Sequence, residues 1–193
     1  NEYMVKKCIV TEAGQIDEGM AWADICWFEW CDELIIYGSN LKIAQNKKVF
    51  CRIHGYEIFT DMPSKINGSV IDKLIFVAEH KRELFFQQFG GTISHEKTCV
   101  IRNGINGNKF HCVQVKKKNK NIAFIGNINY RKGIEILLQF LYELLQEDPE
   151  YILYIRGSHQ DLRYKMAIET MIAELGLEHS VKFVGRVDDI NEW

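Results

Sequence analysis

From residue 47 onward the apolar positions change period repeatedly. Short unbroken apolar runs alternate with stretches in which apolar residues recur every three or four positions. The runs predict strands over 49–53, 74–78, 98–101, 122–126, 151–155 and 181–185. Leu74, Ile75, Phe76, Val77 and Ala78 leave no polar position, as a strand covered on both faces requires. The stretches between predict helices over 64–71, 79–89, 132–147 and 161–175. In the third, Ile134, Leu137, Leu138, Leu141, Leu144 and Leu145 keep to one face, and Pro149 lies just past its end. Gly176 stops the fourth. Ahead of this region, 23–30 alternates loosely and predicts a short strand entering a turn, and 32–41 predicts a helix.

Strand–helix alternation with apolar strands implies parallel sheets joined by right-handed crossovers. Residues 113–120 are polar, without an apolar period, and split the alternation. Each side then holds about three strands, where a complete open sheet of this kind has about five or more. The expected fold is α/β: parts of two Rossmann-like parallel-sheet domains, 1–116 and 117–193, each incomplete. The start at Asn1 and the abrupt Asp-Asp-Ile-Asn-Glu-Trp finish predict truncation at both ends.

Composition narrows the classes. With 47% hydrophobic residues the chain is not a low-complexity disordered segment. A balance of 24 Lys and Arg against 26 Asp and Glu argues against a nucleic-acid partner held by bulk charge. No apolar run approaches the roughly 18 residues of a membrane span. None of the six cysteines makes a C-x-x-C pair, and four sit among apolar residues, so reduced, buried thiols and a cytoplasmic setting are expected. The first 33 residues hold eight carboxylates against Lys6 and Lys7; their cluster of Trp22, Trp27 and Trp30 is expected in the core. The run Lys116, Lys117, Lys118 and Lys120 reads as a solvated linker, with a phosphate site or a peripheral contact at the inner face of a membrane as the alternative.

In open parallel sheets, ligands bind beyond the carboxyl ends of strands. Here those places hold His54-Gly55, Glu79-His80, Asn103-Gly104, Gly126-Asn127, Arg156-Gly157 and Gly185-Arg186. The sharpest segment is 126–133, Gly-Asn-Ile-Asn-Tyr-Arg-Lys-Gly. It is neither G-x-G-x-x-G nor a Walker loop. It does set Arg131 and Lys132 at a helix N-terminus, where free N–H groups and the helix dipole favour a phosphate; a solvated cap is the plainer alternative. The remaining histidines have no metal-ligand spacing, His111 and Cys112 point to opposite faces of a strand, and no G-x-S-x-G occurs.

Strand, glycine, then Lys-Gly opening a long amphipathic helix resembles the donor domain of family-4 retaining glycosyltransferases of the GT-B fold. The resemblance extends in order through Ile53-His54-Gly55-Tyr56-Glu57, the stretch 74–80, Val100-Ile101-Arg102-Asn103-Gly104-Ile105-Asn106 and Val181-Lys182-Phe183-Val184-Gly185-Arg186-Val187. It implies transfer of a sugar from a UDP- or GDP-linked donor to a carbohydrate or lipid-linked acceptor, with retention of configuration and with no metal or other cofactor. Under it Lys132 matches the family's diphosphate lysine and His54 the histidine beside the transferred sugar, although His54 also suits a merely hydrogen-bonded strand end. Gly126, Asn127 and Arg131 join Lys132 around the donor phosphates, while Gly157, Gly185, Arg186 and Val187 lie by the base. Gly55, Glu57, Asn103 and Gly104 fall to the acceptor side or cleft, where Glu57 either orients His54 or meets an acceptor. Asn127 stands where the family often has Arg, and neither the paired-glutamate motif nor the glycine-rich acceptor loop occurs. The fragment by itself is therefore expected to be inactive. A nucleotide-sugar epimerase or phosphorylase of the same architecture, or a non-catalytic binding module, is the alternative.

Overall fold

The computed structural model describes residues 3–110, 119–186, 189 and 191. The chain divides into two compact units, Asn1–Ile105 and Asn106–Trp193. The expected domain boundary at 116/117 lies outside the described residues.

The first unit is built on four parallel strands: β1 (Ile25–Phe28), β2 (Lys48–Ile53), β3 (Ile71–Phe76) and β4 (Thr98–Val100), in spatial order β1-β2-β3-β4. Their helices are α1 (Gly14–Trp22), α2 (Glu33–Asn40) and α3 (Glu79–Phe89). Alternate residues of β2, namely Val49, Cys51 and Ile53, pack with Leu74, Phe76, Ile35 and Phe85 in one core. Asp32 starts α2 by accepting a hydrogen bond from the Leu34 N–H at 3.0 Å. Because every strand is parallel, all four carboxyl ends emerge at one edge.

Two expectations are corrected in this unit, and one helix that was not expected is added. No helix occupies 64–71: after a 3-10 turn at Met62–Ser64 the chain turns and enters β3 at Ile71. The Asn67 side chain takes the Ser69 N–H and hydroxyl, and a Cβ at Gly68 would overlap the Thr92 carbonyl, so local bonding and close packing both favour the turn. The added helix is α1, within the acidic leader, where Ile16 and Met20, one turn apart, bury one face. Secondly, the tryptophans are not core. Trp22, Trp27 and Trp30 are 50%, 50% and 40% exposed, because Cys26 and Phe28 take the inward positions of β1 and Trp27 alternates outward.

The second unit holds β5 (Asn121–Ile125), β6 (Ile152–Arg156) and β7 (Val181–Gly185), parallel and in that order, with α4 (Ile134–Glu147) and α5 (Leu162–Glu174). Leu138, Leu141, Leu153, Ile155 and Ile168 form its core. The helix expected from 132 begins instead at Ile134. Gly133, at φ 68°, breaks the path between a 3-10 turn, Tyr130–Lys132, and α4. Arg131 and Lys132 therefore sit on that turn, just ahead of the helix.

Cys26, Cys31 and Cys51 are buried free thiols, Cys99 is half-buried and Cys8 is exposed; Cys112 lies outside the described residues. The neighbouring Cys31 thiol and burial together push the Cys51 thiol well up, so it stays neutral and inert. Among the described residues no helix is long and apolar enough to cross a membrane.

Candidate functional site

At the carboxyl edge of the first sheet, the register Phe28↔Cys51 sets the residues after β1 beside those closing β2. Glu29 consequently meets His54, 2.9 Å from Oε1 to Nε2. Trp27 Nε1–H donates to Glu29 Oε2 at 2.7 Å, and Arg52 Nη1 lies 3.8 Å from Oε1. Burial pulls the Glu29 pKa up, but the bonds from Trp27 and His54 and the Arg52 charge outweigh it and hold the carboxyl below its ordinary value. An ionised Glu29 only accepts, so His54 Nε2 carries the proton and Nδ1 is the nitrogen not engaged by Glu29. Arg52 Nη2 also donates to Ile101 O at 3.3 Å and to Asn103 Oδ1 at 2.8 Å, tying the end of β2 to the segment after β4. Gly104 is exposed, with open space where a Cβ would stand.

Glu57 is fully buried. Its two carboxylate oxygens accept from the His54 N–H at 3.1 Å and the Gly55 N–H at 2.7 Å. It therefore braces the loop that carries His54. Gly55, at φ 133°, leaves room for Lys81 from α3; a Cβ there would come 3.0 Å from Lys81 Cε. The Lys81 ammonium lies 5.4 Å from the centre of the Phe59 ring. The Trp30 ring leans on His54, centroids 4.0 Å apart, and on Tyr56 at 5.6 Å.

The second sheet ends differently. Gly126 N–H donates to Arg156 O at 3.0 Å, and Gly157 N–H donates to Gly185 O at 3.0 Å, so three glycines close β5, β6 and β7 side by side. A Cβ on Gly157 would overlap the Gly126 carbonyl oxygen, and its φ of 153° also favours glycine. Beyond the strands, Ile128 N–H donates to Ser158 O at 2.9 Å. Asn129 braces the next turn, accepting from the Arg131 N–H at 3.1 Å and donating to Gln160 Oε1 at 2.6 Å. The Arg131 guanidinium rests 5.6 Å from the centre of the Tyr130 ring. Neither Arg131 nor Lys132 makes an ion pair among the described residues. Asn127 and Arg186 are exposed; Val187 lies outside the described residues.

Burial, with the Lys165 charge adding, lowers the His159 pKa. Lys120 lies 2.6 Å from both Asp148 and Glu150, and these bonds raise its pKa, so the end of the basic run is already neutralised. Lys116, Lys117 and Lys118 lie outside the described residues. No group of three or more His, Cys, Asp or Glu suited to a metal occurs among the described residues.

Of the expected site residues, His54, Gly55, Glu57 and Asn103 gather at the first edge. Gly126, Gly157 and Gly185 gather at the second, with Arg131 and Lys132 on the turn that follows β5. Glu29, Arg52, Trp30 and Lys81 escaped sequence reading. The available signal for Glu29 was its place just after β1, equivalent to that of His54 after β2.

Residues 108–193 match the family model described as Glycosyl transferases group 1. An uncharacterized glycosyltransferase of Methanocaldococcus jannaschii is 30% identical over 106 residues, 48% of this chain and 26% of that protein. The GDP-mannose:cellobiosyl-diphosphopolyprenol alpha-mannosyltransferase of Xanthomonas oryzae is 23% identical over 171 residues, covering 83% of this chain and 44% of the relative. Among solved structures, Anabaena HepE in complex with UDP and glucose superposes with TM-score 0.75 at 19% identity, over 93% of this chain and 52% of that one. The chain thus spans about half the length of that structure and less than half of these curated relatives. Its two parallel-sheet units each match Rossmann-like sheets of GT-B neighbours, and the second unit carries the group 1 glycosyl transferase match.

Proposed function

We propose that this chain supplies the reacting edges of a glycosyltransferase that moves a sugar from a nucleotide-sugar donor to a carbohydrate or lipid-linked acceptor, with retention at the anomeric carbon. One observation carries the reading: β5, β6 and β7 are followed or closed by three adjoining glycines, and after β5 come two cations that make no ion pair among the described residues, within the segment that matches the family model. Bare backbone admits a planar base and ribose. Arg131 and Lys132 are suited to the diphosphate, whose charge grows as the sugar leaves. Protein cations suffice for that role, so the reading calls for no metal. His54, oriented by Glu29, is the group assigned to the transferred sugar. HepE was crystallised with UDP, and the Xanthomonas relative is named for GDP-mannose and a diphosphopolyprenol-linked disaccharide. Both agree with this division between donor and acceptor.

Calorimetry of the 193-residue chain with UDP and with GDP tests the donor half. Heat of binding is expected with at least one nucleotide, weakened about tenfold by Lys132→Ala, the order of a lost charge-assisted contact. No heat with either at millimolar nucleotide would sink it. In an enzyme containing this chain, a product assay with and without acceptor separates transfer from epimerisation or phosphorolysis, and the anomeric proton of the product reports retention.

A further inference from the structure

The helix α4 has two long faces. Ile134, Leu138 and Leu141 turn into the core. On the opposite side Ile136, Phe140, Glu143 and Glu147 recur at helical spacing, and all are exposed, Ile136 by 71% and Phe140 by 55%. Single exposed apolar residues need no explanation, but this pair lies between opposite charges. Arg131 and Lys132 stand just ahead of the helix, and Glu143 and Glu147 occupy its second half. Each end of this face carries the wrong sign for the helix dipole, which favours anions at the N-terminus and cations at the C-terminus. The two glutamates, one turn apart, also repel each other. The helix itself contains no Lys or Arg, and none of these four charges makes an ion pair among the described residues. Glu135, the acid of the first turn, is taken up by the Tyr164 hydroxyl, which donates to it at 2.7 Å.

We infer that this face of α4 binds the same face of a second copy of the chain, with the two helices antiparallel. The surface is self-complementary, as a two-fold contact requires. With the axis opposite the middle of the Ile136–Phe140 pair, Ile136 of each copy meets Phe140 of the other. By the helical rise, Lys132 of each copy then lies level with the stretch between Glu143 and Glu147 of the other. Opposite charges and antiparallel dipoles favour this order, whereas a parallel pair would set cations against cations. An anionic membrane is the poorer partner, because both glutamates would face it. One helix face buries little area, so the pair is weak, with a dissociation constant on the order of 0.1 mM. The pairing itself goes beyond the proposed function. One consequence rests on that reading: Arg131 and Lys132 are assigned to the donor diphosphate, so nucleotide and second copy exclude each other at this turn.

Sedimentation equilibrium of the full 193-residue chain, taken to about 1 mM protein, tests the pairing. Wild type is expected to associate reversibly, and several-fold more weakly in about 1 M salt than in about 0.1 M. Phe140→Ser should weaken the pair about tenfold or more. The double variant Arg131→Glu, Lys132→Glu and the double variant Glu143→Lys, Glu147→Lys should each be monomeric, because like charges then meet. An equimolar mixture of the two should associate as wild type does, since each supplies the charge that the other lacks. That rescue excludes misfolding as the cause of the loss. The inference is overturned if wild type stays monomeric throughout, or if the mixture does. UDP and GDP calorimetry on the same samples keeps the readings apart. Nucleotide heat in a chain that stays monomeric ends the pairing and spares the donor site. Pairing without nucleotide heat does the reverse. Where both occur, saturating nucleotide should weaken the pair about tenfold, and a pair untouched by bound nucleotide overturns the facing of Glu143 and Glu147 to the cationic turn.

Discussion

At the carboxyl ends of β1 to β4 the groups on offer are side chains, and most are already bonded to one another. Glu29 holds His54 and Trp27, Arg52 holds Asn103, and Glu57 holds two backbone N–H groups. At the ends of β5 to β7 the groups on offer are backbone, and the cations on the following turn have no acidic partner among the described residues. The first edge is suited to presenting a few oriented polar atoms, because its rotamers are locked by hydrogen bonds before any ligand arrives. The second is suited to accepting a polyanion, because Arg131 and Lys132 make no ion pair among the described residues and the strand ends beside them are glycine backbone. A cation at the first edge would find a carboxylate; a phosphate at the second would find an ammonium.

That contrast breaks most sharply at the glycines. Gly157→Val should destabilise the second unit by about 3–5 kcal/mol, since the new side chain meets the Gly126 carbonyl and the φ is strained for it. Gly104→Ala, in the segment that follows β4 and with open space where the Cβ would stand, should stay within about 0.5 kcal/mol. Urea denaturation of both variants measures the difference, and equal costs would show that the two edges are not built differently. The next effect in size belongs to Glu57. Removing its buried carboxylate by Glu57→Ala leaves the His54 and Gly55 N–H groups unpaired and should cost about 2–4 kcal/mol. If stability is unchanged, the His54 loop is shaped by something else.

How much of this was legible in the sequence follows from which signals are local. α3 runs over the predicted 79–89, and α4 and α5 differ from their predicted spans only near the ends, because a periodic apolar face and its stops are local patterns. The turn at 64–71 was not legible, since Gly68 is placed by contact with Thr92, far along the chain. The three strand-end glycines were readable one by one from the rule that parallel strands expose their carboxyl ends. Their mutual contact depends on register and was not. Glu29 lies 25 residues from His54, and only the pairing of β1 with β2 joins them. The tryptophans misled because aromatic content implies burial on average, while the inward places on β1 were already filled by Cys26 and Phe28.

The smallest predicted effect sharpens the comparison from the first edge. Glu29 is depressed in the folded state, so whatever it contributes to stability is present above the unfolded carboxyl pKa of about 4.3 and is lost as the pH falls through the folded value. The carboxylate is nearly half exposed, and solvent screening limits the contribution to less than about 1 kcal/mol. Wild type should therefore exceed Glu29→Gln in stability at neutral pH by a few tenths of a kcal/mol, about the lower range for an exposed pair. The gap should close in acid, where both side chains are neutral. Denaturation midpoints of the two proteins across that range decide it. A gap that persists at low pH would mean that Glu29 acts by shape rather than charge, and His54 would then owe its orientation to Trp30 packing instead. Lys132→Ala is the control at the other edge: it removes no ion pair among the described residues, so its midpoints should follow those of the wild type across the same range.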